Sequence, residues 1–294
     1  MRAPNRFPLA LLLALLSGFA PASTRAARVV RGVTFATVGG TPLQLDLYSP
    51  DSGAPAGLIV WIHGGAWRAG SRAGVDLKGM TAHGWAVASV DYRLSTVARF
   101  PAQAHDIKAA IRFLRAHAGD YGYPADRFVV SGSSAGGHLA ALIGVTNGVA
   151  ELEGNEGDCT GVSSDVQASV VLYGASNLTT ILAQSTPHGL DVRVPALKLL
   201  LGDTPDKVPA LARLASPVFF VDRSDPPMLI EHGDQDPQMP VNQALELQGA
   251  CEQAGVPVVL KIMPGSKHGG PAFTTAENLT FIDRFLRTHL PGLK

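Results

Sequence analysis

Residues 128–138 read Phe-Val-Val-Ser-Gly-Ser-Ser-Ala-Gly-Gly-His, and this stretch decides the fold. Phe128, Val129 and Val130 form a short apolar run that suits a strand, and His138 to Ile143 is an apolar stretch that suits a helix. Between them, Gly132-x-Ser134-x-Gly136 leaves room only for a tight turn. A strand, a sharp turn and a helix are the context a nucleophile elbow requires, with the serine lifted clear at the apex. The glycines are needed because side chains on either side of the nucleophile would collide with the neighbouring strand and helix. Ser134 is centred in the pattern and Ser133 is its neighbour. With 32 glycines in the chain, the alternative is an ordinary strand-to-helix turn. What separates the two is whether a base, an acid and an anion-binding loop stand elsewhere at the right places.

On either side of the elbow, Gly57-Leu-Ile-Val-Trp-Ile62, Trp85-Ala-Val-Ala-Ser-Val90, Ala168-Ser-Val-Val-Leu172 and Met228-Leu-Ile230 are continuous apolar runs, and Pro257 to Met263 adds one more. Such runs fit strands covered on both faces. Leu43, Leu45 and Leu47 alternate with polar neighbours, which predicts a half-buried antiparallel strand in a two-strand start. Ile107, Ile111 and Leu114 recur at helical spacing, and Phe281, Phe285 and Leu286 mark a closing helix. Strands alternating with helices predict an α/β fold, a mostly parallel central sheet with helices on both faces. Function in such sheets collects in the loops at the carboxyl ends of the strands.

A serine hydroxyl attacks a carbonyl only when a base takes its proton, so one of the nine histidines must lie within hydrogen-bond reach of Ser134. His268, in Met263-Pro-Gly-Ser-Lys-His-Gly-Gly270 just after the last strand, is the choice. The acid belongs after the preceding strand, where His232-Gly-Asp-Gln-Asp-Pro237 offers Asp236 and, as the alternative, Asp234. Asp236 precedes a proline in a loop leading to a helix, where a carboxylate can orient the histidine; Asp234 suits a turn. The order serine, acid, histidine is that of the elbow enzymes. Trp61-Ile-His-Gly-Gly-Ala-Trp67 follows an apolar strand upstream, and its paired glycines let backbone N–H groups approach a developing oxyanion. Gly64, Gly65 and Ala135 are the expected donors. His63 has no ligand partner at metal spacing, so a hydrogen bond within the loop is its expected role, and neither a metal nor a cofactor is expected. Trp67, Tyr92 and Phe100 either line the substrate pocket or pack as core aromatics.

Composition bounds the rest. A chain of 294 residues with 46% hydrophobic and 16% charged content can bury a large core. Lysine plus arginine and aspartate plus glutamate both total 24, so no basic face points to nucleic acid. Arg2 and Arg6 precede an apolar run from Pro8 to Ala20 and then small residues, the pattern of a signal peptide over residues 1–26 with cleavage between Ala22 and Ala27. The run is shorter than the roughly 20 residues of a spanning helix. An exported protein, periplasmic or secreted and free of the membrane once the signal is removed, is therefore expected. The mature region 28–294 reads as one domain, with residues 178–218 as the candidate cap or else a pair of crossover helices. Cys159 and Cys251 are the only cysteines; an oxidising compartment favours their pairing, the alternative being two unrelated thiols.

Together these stretches resemble the α/β-hydrolase esterases that carry a His-Gly-Gly-x-Trp loop, especially the group of bifunctional feruloyl and acetyl-xylan esterases. The resemblance spans nearly the whole mature chain. It rests on His63 to Trp67, Asp91-Tyr-Arg93, Phe100-Pro-Ala-Gln-x-His-Asp106, the elbow, Ser216-Pro217, His232-Gly-x-x-Asp236 and Gly265-x-x-His268. It implies the α/β-hydrolase fold and the triad Ser134, Asp236 and His268. It also implies cofactor-free hydrolysis of short-chain, aryl or polysaccharide-linked esters. The chain departs from the usual pattern in reading Gly174-Ala-Ser-Asn177 where Gly-Pro-Thr-Asp is common, and Gly-Ser-Lys-His where Gly-Ala-Gly-His is usual. The rival readings are an amide-cleaving relative and a non-catalytic binding module.

Overall fold

A computed structural model describes residues 29–290 together with Met1, Gly292 and Leu293. Residues 2–26 of the expected signal peptide therefore lie outside the described residues. The strands are β1 (Val29–Val38), β2 (Thr41–Tyr48), β3 (Leu58–Ile62), β4 (Ala86–Val90), β5 (Phe128–Ser133), β6 (Ala168–Leu172), β7 (Met228–Gly233) and β8 (Val258–Met263). They form one eight-stranded sheet in the order β1-β2-β4-β3-β5-β6-β7-β8. β1 and β2 make a hairpin across Gly39 and Gly40, both at positive φ as a two-residue hairpin turn demands. β2 also runs antiparallel to β4, and every later pairing is parallel. The expected α/β architecture is what the chain adopts, and β5 with its elbow lies near the middle of the sheet.

The helices are α1 (Ala102–Ala116), α2 (Ala118–Tyr121), α3 (Ala135–Gly144), α4 (Ala150–Glu153), α5 (Ile181–Gln184), α6 (Pro187–Leu201), α7 (Pro209–Leu214), α8 (Asn242–Ala254) and α9 (Ala276–His289). Continuous apolar strands follow from cover on both faces. Leu58, Val60 and Ile62 of β3 pack with Ile107, Ile111 and Leu114 of α1 and Leu139 and Leu142 of α3. Ile59 and Trp61, pointing the other way, pack with Ile282, Phe285 and Leu286 of α9 and with Leu77 and Met80. α8 covers β6 and β7 through Ala244 and Leu247. No helix among the described residues is long and apolar enough to cross a membrane.

Two expectations change. β8 is not buried on both faces: it ends the sheet, its residues from Val258 to Lys261 are only partly covered, and Ile262 is exposed. The cysteines do not pair; both are free. Cys251 is buried in α8 beside β7, whereas Cys159 lies in a loop beside Phe35 and Ala36 of β1. They sit toward opposite ends of the sheet, on the order of 30 Å apart at about 4.8 Å per strand.

Candidate active site

The elbow is built by exclusion of side chains. Ser134 links β5 to α3 with φ 54° and ψ −115°, a strained backbone for a residue with a side chain. A Cβ on Gly132 would stand 2.4 Å from the Gly136 carbonyl oxygen, and one on Gly136 would stand 2.0 Å from that of Ile62. Neither position tolerates alanine without moving main chain, which is why both are glycine. The turn is held by Ser134 N–H donating to Leu172 O at 3.0 Å and by His138 N–H donating to Ser134 O at 2.9 Å.

His268 and Asp236, the expected base and acid, stand on the loops after the last two parallel strands. His268 Nε2 lies 2.8 Å from Ser134 Oγ, and His268 Nδ1 lies 2.6 Å from Asp236 Oδ2. With Nδ1–H donating to the carboxylate, Nε2 presents its lone pair to the serine hydroxyl, the tautomer a general base needs. The Asp236 side chain is fully buried and its other oxygen accepts from the N–H groups of Gln238 and Met239, each at 2.8 Å. Burial pushes the Asp236 carboxyl up, but the His268 bond and charge and these two N–H groups outweigh it and hold it below its usual value. Asp234 is not in the chain of bonds. It accepts from Gly265 N–H at 2.7 Å and so ties the loop after β7 to the one after β8.

The glycine loop after β3 faces the elbow. A Cβ on Gly64 would stand 3.4 Å from Ser134 Cβ, so the loop backbone reaches Ser134 with no side chain between. Among the described residues the Gly64 and Gly65 N–H groups make no hydrogen bond within the protein, and Ala135 opens α3, where first-turn N–H groups have no helical partner. His63 donates from Nδ1 to Gly64 O at 2.8 Å and stacks on Tyr92 at 4.4 Å, while Tyr92 donates its hydroxyl to His63 O. Tyr92, Trp67 and Phe100 are all buried, as packing aromatics. No group of three or more His, Cys, Asp or Glu among the described residues is placed to hold a metal.

The supporting roles of several residues escaped the sequence reading. Tyr173, at φ 39° directly after β6, sets its ring edge-on against His268 at 5.0 Å and against Phe273 at 4.7 Å. His232 donates to Met239 O at 2.9 Å and stands 3.6 Å from Asp236, and burial holds its pKa below the usual value. Arg193 of α6 is buried and bonds Gln238 O, which pins α6 to the acid loop. The departure at Asn177 has a local function: its side-chain oxygen accepts from Thr179, and buried Gln243 of α8 accepts from the N–H groups of Ser176 and Asn177. Arg93 grips Asp106 with two nitrogens, so those two motifs brace the loop after β4 against α1. Nothing in the sequence around these residues named their partners, most of which lie tens of residues away.

The BD-FAE family profile matches residues 45–250. Esterase LipC of Mycobacterium tuberculosis is 34% identical over 221 residues, which cover 73% of this chain and 53% of LipC. The chain thus spans about half the length of the curated relatives it matches. Among solved structures, a truncated carbohydrate esterase from gut microbiota superposes with a TM-score of 0.79 at 30% identity, covering 92% of this chain and 98% of that one. An acetyl ester-xyloside bifunctional hydrolase from Caldicellulosiruptor lactoaceticus gives 0.69 at 25% identity, covering 84% and 88%. With a profile that spans well over half of its length, the chain belongs to the BD-FAE family, on an α/β-hydrolase fold.

Proposed function

We propose that the protein is an exported serine esterase that forms an acyl-enzyme on Ser134. The observation that carries this is the unbroken chain Ser134 Oγ, His268, Asp236 at 2.8 and 2.6 Å. Ser134 Oγ attacks the ester carbonyl carbon while His268 Nε2 takes the hydroxyl proton, and Asp236 stabilises the imidazolium so formed. The N–H groups of Gly64, Gly65 and Ala135 receive the charge that develops on the carbonyl oxygen. The C–O bond then breaks, the alcohol leaves with the proton from His268, and water repeats the sequence to release the acid. Mature residues 28–294 act as one domain, with 178–218 as a cap over the site. Substrates are short-chain or aryl acyl groups on small alcohols or plant polysaccharide, in keeping with relatives described as carbohydrate and acetyl ester hydrolases.

The test is initial rates on p-nitrophenyl acetate, butyrate and octanoate, acetylated xylan, methyl ferulate and N-formylkynurenine, with Ser134→Ala as the blank. Ester turnover fastest for short acyl chains and lost in Ser134→Ala is the expected result. Activity confined to the formamide would make the protein an amide-cleaving enzyme, and no rate above the blank would make it a binding protein.

A further inference from the structure

His138 stands four residues after Ser134 on α3 and is completely buried, yet the proton relay does not use it. Both of its ring nitrogens are occupied. Nε2–H donates to Ala215 O, just after α7, at 2.6 Å. That bond fixes the tautomer and leaves Nδ1 as an acceptor, which receives the Trp67 indole N–H at 3.1 Å. The two rings meet at a right angle with centroids 5.3 Å apart. Burial pushes the His138 imidazole down to about 4, so the ring stays neutral and keeps this donor and acceptor pattern near neutral pH.

Trp67 closes the glycine loop, and that loop is strained. Gly65, Ala66 and Trp67 are three consecutive residues at positive φ, 115°, 51° and 58°. For the two that carry side chains, such a backbone is strained and persists only where the surroundings hold it. Two bonds anchor the Trp67 end: Ser95 N–H donates to Trp67 O at 2.8 Å, and the indole donates to His138. Only the second reaches α3, the helix whose first residue is Ala135. The oxyanion donors come from two separate pieces of chain, Gly64 and Gly65 on the loop and Ala135 on the elbow, and their spacing depends on whatever ties loop to helix.

We propose that His138 is a positioning residue that clamps the glycine loop to the nucleophile helix through Trp67 and so sets the spacing of the oxyanion donors. The inference rests on the serine-esterase reading given above. Its test is kcat and KM on p-nitrophenyl acetate together with Ki for an acetyl trifluoromethyl ketone, which forms a tetrahedral adduct. Trp67→Phe keeps the ring and removes the N–H. It is expected to lower kcat roughly 10- to 100-fold with KM within about twofold, and to weaken the ketone by the same factor as kcat. His138→Leu should do the same, and the double variant should be no worse than the poorer single one. His138→Asn, whose amide oxygen can take the place of Nδ1, should recover part of the loss seen in His138→Leu. Folded Trp67→Phe with wild-type kcat and Ki overturns the inference while Ser134→Ala stays inactive. Activity surviving in Ser134→Ala overturns instead the reading on which it rests.

Discussion

Ser134, Ala135 and the glycine loop are reached from β3 and β5 at the middle of the sheet, and the hydrogen bonds and close contacts described for them join uncharged groups: main-chain bonds, glycines against carbonyls, an indole on a neutral imidazole. Asp236 and His268 stand instead on loops after β7 and β8, the last two strands, and are held by charge, with a carboxylate kept ionised by an imidazole and two N–H groups. The difference follows from what each half must do. On the proposed mechanism Ser134 and the oxyanion donors have to keep one geometry, which close packing supplies, whereas His268 has to gain and lose a charge while Asp236 keeps one beside it, which a fully packed apolar setting opposes.

The largest effect that would break this comparison is on the charged half. Asp236→Asn is expected to lower kcat roughly 10⁴-fold by leaving His268 in the wrong tautomer, while Asp234→Asn, which disturbs only the Gly265 contact, stays within about threefold of wild type. Steady-state kinetics on p-nitrophenyl acetate decides it, and equal losses would show that both carboxylates serve the histidine. On the packed half, Gly64→Ala sets a methyl group 2.9 Å from Ser133 O and forces the loop off the elbow. A kcat loss of roughly 10²–10³-fold at unchanged pH dependence is expected. A shift in the pH profile would show that the two halves are not independent.

The smallest effect concerns stability. Glu231 lies in β7, one residue before His232; it is buried, receives a bond from Asn278 at 2.7 Å and has one oxygen without a partner. Burial raises its pKa from 4.5 to about 7. The native carboxyl therefore holds a proton that the unfolded chain has released, and stability falls as pH rises between those two values, by roughly 3 kcal/mol. Glu231→Gln should flatten that fall. Chemical denaturation at pH 5 and pH 8 measures it, and an unchanged slope would place the ionisation elsewhere.

The central half was legible because its signals are local. Gly132-x-Ser134-x-Gly136 needs no distant information, and the apolar runs predict a covered parallel sheet from within each strand. The sequential order of the strands then narrowed the acid and base to loops, and the structure sets Asp236 and His268 beside Ser134 while Asp234 bonds elsewhere. What stayed hidden depends on neighbours far along the chain. The partners of His138 lie 71 and 77 residues away, and nothing near His138 points to them. β8 reads as a buried strand, yet its place at the sheet edge is set by topology, and only Lys261 within it hints at a wet face. The cysteines suggested a bridge by compartment chemistry alone, and sheet order separates them.

The separation of 134 positions between Ser134 and His268 has a consequence in time as well as in space. On the serine-esterase reading the nucleophile is made well before its base, and a domain that folds as a unit brings the two together only once β8 has joined the sheet. Until then Ser134 has no base beside it and stays an ordinary alcohol. A chain arrested short of β8 is therefore expected to leave esters untouched, which makes the far edge of the sheet, and not the elbow, the place where hydrolysis is switched on.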